Sequence, residues 1–250
     1  MSNIKFEEVF SGTKADRDLT DFNAWLYTAW LHLPLVIRNL LAYPYLVTPT
    51  QECLNSQIKF LVMNRETNSW GKKEQCEDGV DLLSMERVKK IYTERINENW
   101  DNLGSVWPMY YALRMVSEGL NPDIRLKGKV GFIHSNVALI GKKEGNGFES
   151  DIRPLLVEAI DKQIKSIAPN VILLGIGFGT EGGKQQQYLD ILSETFLGTL
   201  TDIHPCNGCE SLYELKFAHQ DDLMIFGCRH PEGLRYRPIV DWLISYLLRI

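Results

Sequence analysis

Three polar segments of the sequence contain the side chains best suited to acid–base or hydrogen-bonding chemistry. They are residues 64–71, residues 134–136 and residues 228–235. Together they supply a carboxylate, carboxamides, imidazoles and arginines. A carboxylate can act as a base or stabilise a cation, an imidazole can donate a proton, and a carboxamide can hydrogen-bond to a planar ligand. The three segments are therefore the candidate functional site.

Each of these segments follows or ends a stretch of sequence typical of a β-strand. Residues 58–63 and 223–227 are short apolar runs, and residues 129–140 alternate small and apolar groups like a strand that runs into a loop. A polar loop is expected to begin at Asn64, directly after the first run. Ligands of open α/β sheets bind beyond the carboxyl ends of the strands, so the three segments are expected to meet at one edge of a sheet.

The remaining pattern predicts helices that alternate with strands. Helices are expected over 81–100, 103–120, 152–167, 184–200 and 238–249, with further strands over 170–176 and 212–217. Short helices are expected over 21–47, where Pro34 and Pro44 interrupt an aromatic-rich stretch that includes Leu40 as a candidate for burial. This alternation predicts a three-layer α/β/α fold around a mostly parallel sheet. We expect a single domain over 1–250, with residues 1–50 as a helical N-terminal extension packed on it.

Composition places the chain among ordinary globular proteins. Its 250 residues carry a formal net charge of −5 and are 44% hydrophobic. No apolar run reaches the roughly 18 residues that span a bilayer. The five cysteines, an odd number, are expected to be reduced thiols of a cytoplasmic protein. The pair Cys206 and Cys209 lacks a second pair at suitable spacing, and the histidines lack ligand spacing, so neither an iron–sulfur cluster nor another metal is expected.

The order of these motifs resembles that of the uracil-DNA glycosylase superfamily. In that family a first strand leads to a water-positioning loop, a middle strand supplies an asparagine, and a late strand leads to a His-Pro loop. The corresponding segments here are Ile58–Asn68, Phe132–Asn136, the helix and strand from Ile152 to Gly175, and His230–Gly233. Two positions depart from the family pattern: Asn64 stands where glycine is usual, and Glu66 where an Asp or Asn usually orients water.

The resemblance implies a monomeric enzyme that acts on DNA without a cofactor and cleaves the bond between a flipped-out base and its sugar. It implies catalytic roles for Glu66, Asn68 and His230. The implied base-binding residues are Asn136, Trp70 and Trp107, and the implied DNA-binding residues are Arg229, Leu234, Arg235 and Arg237. His134 is expected to be structural. The enzyme would be cytoplasmic, associated with the nucleoid when it acts on DNA, and would serve base excision repair or defence against phage.

Two other functions are compatible with the sequence. The same fold could be a catalytically silent module that binds nucleic acid. The Gly-rich turn Gly175–Thr180, which follows a strong strand, could instead cradle the phosphate of a nucleotide. That turn has neither the spacing of a dinucleotide-binding loop nor that of a P-loop, so its glycines are expected to permit close packing or a tight turn.

Overall fold

A computed structural model describes residues 14–48, 51–66, 83–101, 130–178, 184–220, 222–228, 237–247 and 249 of the chain. The helices are α1 (Lys14–Leu31), α2 (Leu35–Arg38), α3 (Gln51–Asn55), α4 (Met85–Asp101), α5 (Arg153–Ile167), α6 (Lys184–Ser193) and α7 (Arg237–Leu247). The strands are β1 (Ile58–Glu66), β2 (Val130–Ala138), β3 (Val171–Leu174), β4 (Leu200–Cys206), β5 (Cys209–Phe217) and β6 (Met224–Cys228).

These strands form one six-stranded sheet in the order β2-β1-β3-β6-β5-β4. The pairs β1–β2, β1–β3 and β3–β6 are parallel, whereas β5 pairs with both β6 and β4 in the antiparallel sense. The β4–β5 hairpin turns at Asn207-Gly208, and Gly208 has a φ of 84°, which two-residue hairpin turns favour. The chain is therefore an α/β protein with a mostly parallel sheet, as its sequence predicts.

One face of the sheet, here called the first face, is covered by α1, α5 and α6. Leu61 and Met63 of β1 lie in the same buried cluster as Ile172 and Leu174 of β3. The buried stripe of α5 that packs on this cluster consists of Leu156, Ala159, Ile160, Ile164 and Ile167. Burial of one such aliphatic side chain contributes about 1.5–3 kcal/mol, so this stripe is a main source of stability. Helix α1 adds Phe22, Leu26 and Trp30 to the same core.

The opposite, second face of the sheet is covered by α7. Phe60 and Val62 of β1 form a second buried cluster with Phe226 of β6. The α7 residues of this cluster are Ile239, Leu243 and Leu247. All four residues of β3 are buried, because a central parallel strand has helices over both of its faces.

Several elements differ from the sequence-based prediction. β1 continues through Asn64 to Glu66, where a loop was expected, because both residues pair with β2. The helix expected over 184–200 ends at Ser193, and residues 200–206 form a strand that was not predicted. Residues 201–205 of this edge strand are all exposed, so they lack the apolar alternation by which strands are recognised. Pro205 is tolerated there because an edge strand leaves one side of its backbone unpaired.

The N-terminal part also departs from the expected series of short helices. α1 is one continuous helix from Lys14 to Leu31, and residues 41–48 contain no helix. Leu40, expected to be buried, is 52% exposed. The helix expected over 103–120 lies outside the described residues.

Candidate functional site

The strand order places a topological switch point between β1 and β3. From β1 the chain continues to β2 on one side, whereas from β3 it continues to β4, β5 and β6 on the other. In open α/β sheets the crevice beyond the carboxyl ends of the strands at such a point is the usual ligand site. The last residues of β1 and β3 at this edge are Glu66 and Leu174.

The second face changes from apolar to polar along β1 and β2 as the strands approach this edge. The residues that pair across the two strands are, in order, Phe60 with Phe132, Val62 with His134, and Asn64 with Asn136. The phenylalanine rings pack at 5.1 Å between centroids. Because side chains two residues apart share a face of a strand, this series carries the hydrophobic core directly into a cluster of amides and an imidazole.

A chain of hydrogen bonds runs through this polar cluster. Asn64 Nδ2 lies 2.8 Å from His134 Nε2, and His134 Nδ1 lies 2.8 Å from the hydroxyl of Tyr45. The Tyr45 backbone N–H donates to the carbonyl of Leu139 at 2.7 Å. The Tyr45 ring packs against Tyr92 of α4 at 4.9 Å between centroids. The position of His134 is thus fixed from both ring nitrogens.

The imidazole in this chain is neutral. Burial lowers the pKa of His134 from 6.5 to about 3, because desolvation disfavours the charged form. A neutral imidazole carries one N–H and one acceptor nitrogen. With Asn64 Nδ2 donating to Nε2, the hydrogen-bond network assigns the proton to Nδ1, which donates to the Tyr45 hydroxyl. His134 therefore positions the Asn64 carboxamide and does not serve as an acid at physiological pH.

One carboxamide oxygen at this edge lacks a partner within the described part of the chain. Asn64 Oδ1 is buried and accepts no hydrogen bond from any described residue. A buried polar group without a partner costs about 1–3 kcal/mol, and such groups are uncommon in folded proteins. The carboxamide of Asn136, which pairs with Asn64 across the two strands, is only 3% exposed. Asn64 Oδ1 is therefore suited to accept a hydrogen bond from a ligand.

The segment after β3 (residues 175–178) is held tightly against the neighbouring strands. The N–H of Gly175 donates to Met63 O at 2.9 Å, and those of Gly177 and Phe178 donate to Cys228 O at 3.3 and 3.1 Å. A phosphate-binding turn needs such N–H groups to be free. Gly177 has a φ of 98°, as expected for a tight turn. These bonds argue against a nucleotide site at residues 175–178; Gly179 and Thr180 lie outside the described residues.

The structure places three of the residues that the sequence singled out. Asn136 lies in β2 at the candidate edge, the backbone of Glu66 ends β1 beside Ala138, and Arg237 is the first residue of α7. The side chains of Glu66 and Arg237 are not described. The other candidates lie outside the described residues: Asn68, Trp70, Trp107, Arg229, His230, Leu234 and Arg235.

The sequence includes Asn64 in a candidate segment but predicts it in a loop, whereas the structure places it in β1; the sequence does not indicate Tyr45 at all. Tyr45 lies 89 positions from His134, and nothing in its local sequence indicates that contact. No three His, Cys, Asp or Glu side chains among the described residues are grouped to hold a metal ion.

Comparisons of the chain with family models, curated proteins and solved structures found no match. None of the described helices is both long enough and apolar enough to cross a membrane.

Proposed function

We propose that this protein is a DNA glycosylase that hydrolyses the N-glycosidic bond of a flipped-out uracil or modified pyrimidine and leaves an abasic site. In this proposal the fold is that of the uracil-DNA glycosylase superfamily. The observation that carries it is the pair of carboxamides, Asn64 and Asn136, at a switch point of a parallel sheet, where Asn136 is 3% exposed and Asn64 Oδ1 is buried without a partner among the described residues.

A carboxamide suits base recognition because it both donates and accepts hydrogen bonds. Enzymes that act on a base remove it from the helical stack and recognise its hydrogen-bonding edge in a closed pocket. In this proposal Asn64 and Asn136 supply the polar edge of such a pocket, next to the apolar pairs of β1 and β2. The neutral His134 suits an uncharged ligand, since it adds no charge to the cluster.

The proposed chemistry follows from the bond that breaks. Cleavage of an N-glycosidic bond develops positive charge on the sugar and negative charge on the departing base. Glu66 at the end of β1, or Asn68 in its place, would stabilise the sugar cation and orient the attacking water. His230 would donate a hydrogen bond to an oxygen of the departing base, an interaction that strengthens as charge develops.

Contacts to DNA would come from the aromatic, leucine and arginine residues that the resemblance implies. Trp70 or Trp107 would stack on the flipped base, and Leu234 would fill the space that the base leaves. The arginines proposed to bind phosphate are Arg229, Arg235 and Arg237. Such local contacts are compatible with a net charge of −5, because phosphate binding depends on clustered rather than total charge.

The biological role would be base excision repair if uracil is the substrate. It would be defence against foreign DNA if the substrate is a hypermodified cytosine of the kind found in phage DNA. The two roles differ only in the base that the pocket accepts.

The test incubates the full chain with end-labelled DNA that carries uracil or a hypermodified cytosine at one position, and then probes for abasic sites. We expect abasic sites from one substrate and their loss in Glu66→Gln and in His230→Ala. Glu158→Gln on the exposed face of α5 and His204→Ala on β4 are matched controls, since the side chains of Glu158 and His204 are 56% and 59% exposed.

Two results would contradict the proposal. Abasic sites that persist in both Glu66→Gln and His230→Ala would remove these residues from the mechanism. Tight DNA binding without cleavage of any substrate, abolished by charge reversal of Arg229 and Arg235, would identify a catalytically silent nucleic-acid-binding module.

A further inference from the structure

We propose that Asn64 determines which base is excised, and that its Oδ1 accepts a hydrogen bond from an amino group of the substrate. The substrate class would then be an amino-bearing pyrimidine of the cytosine type rather than of the uracil type. This inference rests on the proposed glycosylase function and makes it more specific. It starts from the position at which the sequence departs from the glycosylase pattern.

The first step is the orientation of the Asn64 carboxamide in the structure. Its Nδ2 lies 2.8 Å from Nε2 of His134, which is held in turn by the Tyr45 hydroxyl at 2.8 Å. This arrangement pairs with a neutral His134 that carries its proton on Nδ1 and accepts at Nε2. Asn64 Oδ1 is then directed away from His134.

The second step is that this oxygen is an acceptor without a donor. Asn64 Oδ1 is buried and unpartnered among the described residues. Its desolvation cost is already part of the folded state, so a ligand donor gains a hydrogen bond without displacing water from Oδ1. Such preorganisation makes a buried polar atom selective for its complement.

The third step concerns the neighbouring strand. Asn64 and Asn136 are paired residues of adjacent parallel strands, which lie about 4.8 Å apart. Two carboxamides at this spacing can address one edge of a single pyrimidine. Cytosine presents an amino donor, a ring-nitrogen acceptor and a carbonyl acceptor along that edge. The amino group complements Asn64 Oδ1, and the acceptors complement the Nδ2 of Asn136.

Uracil carries a carbonyl group, O4, at the position where cytosine carries the amino group that Asn64 would contact. Its O4 would face Oδ1, which leaves two desolvated acceptors opposite each other with no proton between them. A site built to hydrogen-bond one group discriminates strongly against an analogue that lacks it. We expect at least about tenfold faster excision of the cytosine-type base.

The experiment compares substrates that differ only in this group. The full chain is incubated with DNA that carries 5-hydroxymethylcytosine or 5-hydroxymethyluracil at one position, and with the unmodified cytosine and uracil pair. Rates of base release are measured under single-turnover conditions. Binding is measured in parallel on duplexes in which a fluorinated sugar blocks cleavage, so recognition is observed independently of chemistry.

Three variants separate recognition from folding. Asn64→Leu removes the acceptor and should bring the cytosine-to-uracil ratio close to one. Asn64→Asp keeps an acceptor oxygen for the base, its other oxygen can accept from His134 once the ring proton lies on Nε2 and Tyr45 donates to Nδ1, and this variant should retain the preference for cytosine. Asn170→Leu is the matched control: its Oδ1 accepts from the Lys59 N–H at 2.8 Å, near the amino end of β1, and its loss should leave the ratio unchanged. Thermal unfolding of each variant checks that it is folded.

The outcomes distinguish this inference from the proposed function. A wild-type ratio of one or less, or a ratio that Asn64→Leu does not change, overturns the role of Asn64 even if the enzyme releases bases. Tighter binding of the cytosine-type duplex that depends on Asn64, without any base release, supports the role of Asn64 and refutes the glycosylase. Neither base release nor base-dependent binding overturns both.

Discussion

A decrease in pH should lower the free energy of unfolding of this protein, because His134 is buried in its neutral form. Burial holds the pKa of His134 at about 3 in the folded state, against 6.5 when it is unperturbed. Between these two values the unfolded chain binds a proton that the folded chain does not, so the free energy of unfolding decreases as the pH falls. From pH 7 to pH 5 this one residue should remove about 2 kcal/mol of stability.

The assay is urea unfolding at both pH values for the wild type and for His134→Gln. Glutamine cannot take up a proton, yet it can accept a hydrogen bond from Asn64 and donate one to Tyr45. All other titrating groups are shared, so the difference between the two pH dependences isolates His134. The wild type should lose about 2 kcal/mol more than His134→Gln between pH 7 and pH 5.

Equal losses in the wild type and in His134→Gln, within about 0.5 kcal/mol, would refute this reasoning. They would mean that His134 becomes protonated inside the fold with little penalty. The neutral state of His134 at pH 5 would then be wrong.

Two further predictions concern the neighbourhood of β6. In Gly227→Ala the new Cβ would overlap the ring of Phe178. We expect the free energy of unfolding, measured in urea, to decrease by about 1–3 kcal/mol. The decrease should be smaller in a Phe178→Leu background, because residues 227 and 178 touch. Burial raises the pKa of Cys206 and of Cys228 to about 12 each, so iodoacetamide at pH 8 should label both at least about a hundredfold more slowly in the folded protein than in urea, as measured by peptide mass spectrometry. Equal rates in the two states would contradict the burial of these thiols.

The sequence was most informative where one physical signal dominates. β3 and α5 were predicted within a few residues because a continuous apolar run and a helical apolar stripe each have one stable solution. Asn136 was found because it lies near the end of a strand-like segment, within β2. The sheet order was not predictable, because the spatial order of the strands is set by long-range packing that no local pattern records.

The sequence-based prediction missed strand β4 and the contact of Asn64, for two different physical reasons. β4 is an exposed edge strand that is hydrogen-bonded to β5. Such pairing produces no periodic pattern of hydrophobic residues in the sequence. The contact of Asn64 was not predicted for another reason. Asn64 lies 70 positions from His134, to which it is hydrogen-bonded, and His134 lies 89 positions from its other partner, Tyr45. Local propensity carries no information about contacts of that range.

The stability of the fold does not account for the residue types found in the polar cluster. At the amino end of the same face, Phe60 and Phe132 stabilise the fold through burial alone. Two residues further on from Val62, Asn64 has a buried oxygen that no described residue satisfies, where an aliphatic side chain would remove a penalty of about 1–3 kcal/mol. In the proposed function, the donor of a bound ligand would complete this arrangement at the switch point.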